Sequence, residues 1–166
     1  MNGYSIMIPF KNILVPTDFS KGFDIALNCA IGIAKSMSSV IHIIHVVEPM
    51  VYPADKGFSQ VCFAEIEKEL ENNAYKEMEK IIQKINSTQD ELSCTNAPYT
   101  LIKTKVLFGK TEDQIIEYAE KNDIDLICIA THGRSGFQHL LFGSTTEKVL
   151  RRAKCPVLAV KMKCKK

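Results

Sequence analysis

The residue types best suited to chemistry in this chain fall within residues 125–160, DLICIATHGRSGFQHLLFGSTTEKVLRRAKCPVLAV. The apolar run Leu126-Ile127-Cys128-Ile129-Ala130 is too short for a helix and suits a buried strand. A polar, glycine-bearing loop follows over residues 131–142, and Gly143-Ser144-Thr145-Thr146-Glu147 then opens a helix. Ser144 and Glu147 have capping-box spacing, in which hydroxyl and carboxylate each satisfy a backbone N–H of the first turn. The free N–H groups and the positive dipole end of a helix start favour an anion, phosphate above all. His132, in the loop, has the chemistry of a phosphate donor or an acid, and equally that of a solvent-facing loop histidine. An ordinary strand–loop–helix connection with a good cap is the competing reading. Local chemistry does not separate the two.

Other chemistries are excluded by what stands at their key positions. Gly109-Lys110-Thr111 resembles the end of a Walker A loop, but Thr104 occupies the place of its first glycine. The dinucleotide fingerprint is missing, because Asp18-Phe19-Ser20-Lys21-Gly22 follows the first strand. A receiver domain needs an acidic cluster and an aspartate ending its third strand. Here Asp18 is a lone acid and Phe108-Gly109 fills the other place. His42 and His45 lie three apart on a strand, point to opposite faces and cannot share a metal. No G-x-S-x-G elbow, H-E-x-x-H or paired carboxylates are present, so hydrolysis lacks a visible nucleophile and base.

Such a loop needs elements to hold it, and the chain supplies them in alternation. Residues 12–15 form a first strand stopped by Pro16, which cannot donate to a ladder. Residues 17–20 turn, and Ser20 caps a helix whose apolar face is Phe23, Ala26, Leu27, Ala30, Ala34 and Met37. Residues 40–47 are a second, doubly covered strand, and 48–60 a mobile connection. A long amphipathic helix turns Ile66, Leu70, Ala74, Met78, Ile81 and Ile85 inward, and residues 86–98 are polar and irregular. Residues 99–108 make a third strand, ended by Gly109. Thr111-Glu112-Asp113-Gln114 is a second capping box, opening a short helix with Ile115, Ile116 and Ala119 inward. After the fourth strand and the Ser144 helix, Pro156-Val157-Leu158-Ala159-Val160 is the fifth strand. Residues 1–10 read as a leader without features.

This β-α-β-α-β-α-β-α-β order implies a parallel sheet with helices on both faces. Ligands of such sheets bind outside the carboxyl ends of strands, where the winding direction switches. With the first and fourth strands adjacent, Pro16-Thr17-Asp18 faces Thr131-His132-Gly133 across that switch.

At 166 residues the chain is expected to be one domain, with a core over residues 11–161. Its 46% hydrophobic and 24% charged content are ordinary for a soluble protein. A net charge of +2 argues against nucleic acid or an acidic membrane as partner, and the basic tail 161–166 reads as a frayed terminus. No apolar run approaches the ~20 residues that cross a bilayer, and no secretory signal is evident. The six cysteines show no C-x-x-C pair or metal spacing, and Cys29 and Cys128 read as small buried hydrophobes. A reducing, cytoplasmic setting is expected.

From residue 11 to residue 161 the chain resembles the universal stress protein family of UspA type, in its ATP-binding subgroup. The likeness rests on Val15-Pro16-Thr17-Asp18-Phe19-Ser20, on Cys155-Pro156-Val157-Leu158-Ala159-Val160, and on a signature G-x2-G-x9-G-[ST]. That signature falls on Ala130, Gly133 and Gly143-Ser144, so alanine replaces its first glycine.

The resemblance implies the adenine-nucleotide α-hydrolase-like fold, a Rossmann-like five-stranded parallel sheet in order 3-2-1-4-5 with helices on both faces. It implies ATP, or AMP or ADP, as ligand, with Mg²⁺ or Mn²⁺ held mainly through the phosphates. Pro16, Thr17 and Asp18 would line the adenosine side, Val46 the adenine, and Ile129 and Ala130 the pocket wall. His132 and Gly133 would approach ribose and phosphate, and Gly143, Ser144, Thr145 and Thr146 would hold phosphates. The alanine would be strained if the position demands φ > 0. A homodimer through Pro156-Val157-Leu158-Ala159-Val160 and a role as stress sensor or regulator are further implications. A family member working without nucleotide, through protein contacts, and a slow ATPase are the alternatives.

Overall fold

Ile13, Leu14 and Val15 are fully buried, as a strand covered on both faces requires. In the computed structural model, which describes residues 10–49, 60–91, 101–131 and 142–161, they lie in β1 (Asn12–Thr17). The elements that follow are α1 (Lys21–Met37), β2 (Val40–Val47), α2 (Gln60–Glu91), β3 (Ile102–Phe108) and α3 (Thr111–Lys121). β4 (Leu126–Ala130), α4 (Ser144–Arg152) and β5 (Val157–Val160) complete the chain. All strand pairings are parallel, in the order β3-β2-β1-β4-β5. The expected five-stranded sheet is present.

Each strand divides its side chains between two layers. Ile13, Val15, Ile41, Ile43 and Cys128 pack with α1 and α2, chiefly on Phe23, Ala26, Ala30, Ala74 and Met78. Leu14, Ile44, Ile127 and Ile129 pack with α3 and α4, on Ile115, Ile116, Ala119 and Val149. Cys128 is a fully buried apolar filler as expected, and burial raises its thiol pKa to about 12. Cys29 is partly buried against the same layer.

Several boundaries differ from the sequence reading, each for a physical reason. β1 continues through Pro16 to Thr17. The Lys11 carbonyl accepts from Val40 and the Asn12 carbonyl from Asp125, so even-numbered residues of β1 address β4. Pairing with β4 ends at Leu14↔Ile127, whereas pairing with β2 runs on to Thr17↔His45. The N–H that Pro16 lacks would face a neighbour already gone. Phe10, assigned to a leader, packs on the core, and its carbonyl accepts from the Ser39 hydroxyl.

Leu70 is 36% exposed, not inward; the buried apolar residues of α2 among those described are Ala74, Met78 and Ile85. The helix also continues to Glu91, where an irregular segment was expected after Asn86. Polar composition there does not end the helix. β5 begins at Val157, and the Pro156 carbonyl accepts from Ile127. Most of the connection 48–60, the residues 92–100 before β3 and most of the basic tail lie outside the described residues.

His42 and His45 point to opposite faces, as predicted. His42 is 2% exposed, and its Nδ1 shares a 3.0 Å hydrogen bond with the Tyr118 hydroxyl of α3. Its buried Nε2 has no hydrogen-bond partner among the described residues. Burial, with Lys103 beside it, holds the imidazole pKa below its usual value. The folded chain therefore binds this proton less readily than the unfolded chain. The stability His42 confers is complete above the usual value near 6.5 and is lost as pH falls below it. Melting temperature should fall in that window, and His42→Leu should flatten the decline in a calorimetric pH series.

Candidate nucleotide site

The sheet is pinned at one end and open at the other. Asp125 Oδ2 accepts the backbone N–H groups of Lys11 at 2.8 Å and Asn12 at 2.9 Å, tying the start of β4 to the start of β1. Beyond Leu14 the two strands no longer pair, and the strand order switches direction between them. This is the place where doubly wound sheets take ligands.

On the β1 side the turn after Thr17 is fixed by its own side chains. Thr17, 7% exposed, accepts the Phe19 N–H on Oγ1 at 2.9 Å, and Asp18 Oδ1 accepts the Ser20 N–H at 3.0 Å. Ser20 is the N-cap of α1 as expected, yet its hydroxyl makes no cap bond. Phe19 takes φ +60°, a left-handed conformation costing about 1–2 kcal/mol for a residue with a Cβ. Its ring lies 4.4 Å from that of His45, whose Nδ1–H donates to the Thr17 carbonyl at 2.8 Å. Sequence reasoning assigned His45 and Phe19 no part in the site. A positive φ has no signature in an aromatic residue type.

Pro16, Val46 and Ile129 sit on the sheet face covered by α3 and α4, while Thr17 and Ala130 belong to the opposite face. The expected wall residues are thus divided between the two layers. Ala130 ends β4 in register with Val160. The non-glycine residues with positive φ among those described are Phe19, Ser38 and Asp123. The alanine in the signature is therefore unstrained.

On the β4 side the start of α4 is fastened to the strand. The Gly143 N–H donates to the Thr131 carbonyl at 2.7 Å, and the Thr146 hydroxyl donates to the Ala130 carbonyl at 2.8 Å. Thr146 is 4% exposed, and its hydroxyl proton is committed to that carbonyl. Gly143, not Ser144, is the N-cap; its carbonyl accepts from Glu147, and Ser144 is the first helical residue. Glu147 pairs forward with Arg151 at 2.8 Å instead of reaching back, so the expected capping box is absent. Ser144, Thr145 and Thr146 occupy the turn whose N–H groups precede the intrahelical ladder. His132 and Gly133 lie outside the described residues.

α3 starts beside this turn, also without a capping box. Lys110 is its N-cap, and Thr111 gives both its N–H and its hydroxyl to Glu48 Oε1, at 2.9 and 2.7 Å. These bonds hold the Glu48 carboxyl below the usual range. Glu112 accepts from Lys148 at 2.7 Å and Lys110 at 3.1 Å. The Lys148 bond chiefly, opposed by burial and aided by Lys110, brings its pKa to about 2. Stability from this group is present above about 4.5 and lost as pH falls toward 2. Acid unfolding of His42→Leu should therefore retain this lower step. Among the described residues no cluster of three or more His, Cys, Asp or Glu could hold a metal, and no helix is long and apolar enough to cross a membrane.

The universal stress protein family model matches residues 9–161. This chain belongs to the universal stress protein family. Universal stress protein MJ0531 of Methanocaldococcus jannaschii is 34% identical over 158 residues, covering 92% of this chain and 82% of that protein. The solved structure of MJ0577 superposes with a TM-score of 0.71 at 26% identity, covering 95% of this chain and all of that one. More distant universal stress proteins share the fold, one solved in complex with cAMP (22% identity, TM-score 0.56; 92% of this chain, 97% of that one). Another, from Archaeoglobus fulgidus, was solved in complex with dAMP (18% identity, TM-score 0.54; 93% of this chain, 100% of that one).

Proposed function

We propose that this universal stress protein binds an adenine nucleotide, ATP in the first instance, at the carboxyl ends of β1 and β4 and acts as a stress-response regulator. The observation that carries the reading is that β1 and β4 stop pairing after Leu14↔Ile127, with the side-chain-bonded turn after Thr17 on one side and the N-terminus of α4 on the other. In this reading Pro16, Thr17 and Asp18 meet the adenosine, Val46 the adenine, and Ile129 and Ala130 form the wall. His132 and Gly133 approach ribose and phosphate. Gly143, Ser144, Thr145 and Thr146 receive the phosphates, Thr146 through its backbone. A divalent cation would be held through phosphate oxygens and water, since the residues described here form no metal cage.

Relatives in complex with cAMP and dAMP support adenine nucleotides as the ligand class. Titration calorimetry with ATP, with and without Mg²⁺, tests the reading; absence of affinity at millimolar ligand rejects it. Turnover of ATP no faster than in a Gly143→Val control is expected of a binding protein. Ala130→Gly should cost about 0.5–1 kcal/mol of stability by freeing a strand residue. It should not raise nucleotide affinity in the same titration, because the alanine is unstrained.

The same reading makes the protein a homodimer through β5. The two sheet edges differ: β3 carries Lys103 and Lys105, whereas β5 is Val-Leu-Ala-Val. Lysines guard an edge against pairing, and the unguarded one is the edge that would take a second copy. Unpaired thiols at Cys29, Cys128 and Cys155 suit a reducing, cytoplasmic setting.

A further inference from the structure

We propose that Glu112 is a positioning residue for nucleotide binding: through Lys148 it sets the first turn of α4, and with Glu48 and Thr111 it couples that turn to the end of β2. The inference rests on the nucleotide reading above and names a part of the chain that reading does not use.

α4 is nine residues long and buries only Thr146 and Val149. A helix that short has little stability of its own, and two buried side chains leave its tilt and rotation poorly fixed. Polar ties supply the rest. Thr146 and Gly143 fasten the first turn to the end of β4. Arg152 meets Asp113 at the far end, where both side chains are about half exposed and the pair is open to solvent. Between these lies Glu112, whose side chain is 4% exposed and whose Oε1 takes both Lys148 and Lys110. Lys148 stands one helical turn after Ser144, so the tie acts directly behind the amides that would face phosphate.

Besides the stability it lends above about pH 4.5, a buried carboxylate oxygen shared by two ammonium groups fixes the position of the helix that carries Lys148. The anchor extends further, since Glu48 follows β2 directly and holds the N-terminus of α3 through Thr111. Val46 lies two residues before Glu48. Hydrogen-bonded groups therefore run from the adenine side, through the start of α3, to the phosphate side.

The test uses the full chain with Glu112→Gln, which keeps shape and removes charge, and Lys148→Met, which removes the other partner at an exposed position. In the ligand-free protein, hydrogen exchange at the amides of Glu147, Lys148 and Val149 should quicken about tenfold in both variants. ATP affinity should fall about tenfold, within the usual range of coupling between sites, while adenosine affinity stays unchanged. The double variant should lose no more than either single one, as members of one interaction do. Unchanged exchange in α4 overturns the proposal, as does equal loss of ATP and adenosine affinity. A rise in ATP affinity also overturns it, since that is what lysines released from Glu112 and turned to phosphate would produce. Should the wild-type chain bind neither ligand, the nucleotide reading fails, and the exchange measurement alone still decides whether Glu112 positions α4.

Discussion

Gly143→Val is expected to abolish nucleotide binding while the chain still folds. The reasoning starts from what the chain itself demands of this glycine, which is little. Its φ of −71° and ψ of 158° are open to any residue. Among the described residues a Cβ there meets the Thr131 carbonyl oxygen, at 3.5 Å, an ordinary contact. Valine is a poorer N-cap than glycine, worth about 1 kcal/mol, or a melting temperature lower by about 2–4 °C in a domain of this size. The side chain would, however, stand over the first-turn amides of α4, where a phosphate must come within hydrogen-bond distance. Affinity for ATP should drop about 100-fold or more, close to 3 kcal/mol. Calorimetric titration beside a melting curve separates the two effects. Retained ATP affinity in a folded variant would remove the start of α4 from the binding site.

The second large effect is expected at the other end of the same region. Leu158 is 39% exposed in the middle of β5, so Leu158→Lys should disturb the protomer by no more than about 0.5 kcal/mol, the usual range for a surface change. Two symmetry-related lysines on a pairing edge repel each other and lose their water when the strands meet. Sedimentation equilibrium should show a dimer in the parent chain and a monomer in the variant at micromolar concentration. A variant that stays dimeric places the contact elsewhere.

The alternation of apolar runs and amphipathic stretches made the parallel sheet and its two covering layers legible in sequence, whereas the strand order came from the family resemblance. Ile13, Leu14 and Val15 are buried because both faces are covered, and Ile115, Ile116 and Ala119 turn inward as their spacing requires. Helix starts were read less well. Thr111 and Gln114 have capping-box spacing, but Thr111 bonds to Glu48, 63 residues away, and no local pattern contains that partner. Glu147 likewise prefers Arg151 to the turn behind it. Leu70 shows that periodicity names the apolar face of a helix without telling whether anything covers it. The 86–91 stretch shows the converse, polar composition in regular helix. In the candidate site, the strand ends and the glycine before α4 were visible in sequence. The roles of Phe19 and His45 were not, since they depend on a backbone angle and a ring contact between distant elements.

The turn after Thr17 has a kinetic consequence. Its unusual backbone angle is already set in the chain without ligand, held by the Thr17 hydroxyl, the Asp18 carboxylate and the His45 imidazole. The ordering of that segment is thus complete when the protein folds and adds nothing to the cost of association. That turn should add no slow rearrangement after a ligand is encountered. Differences in affinity between one nucleotide and another should then lie in how long each stays, not in how fast it enters.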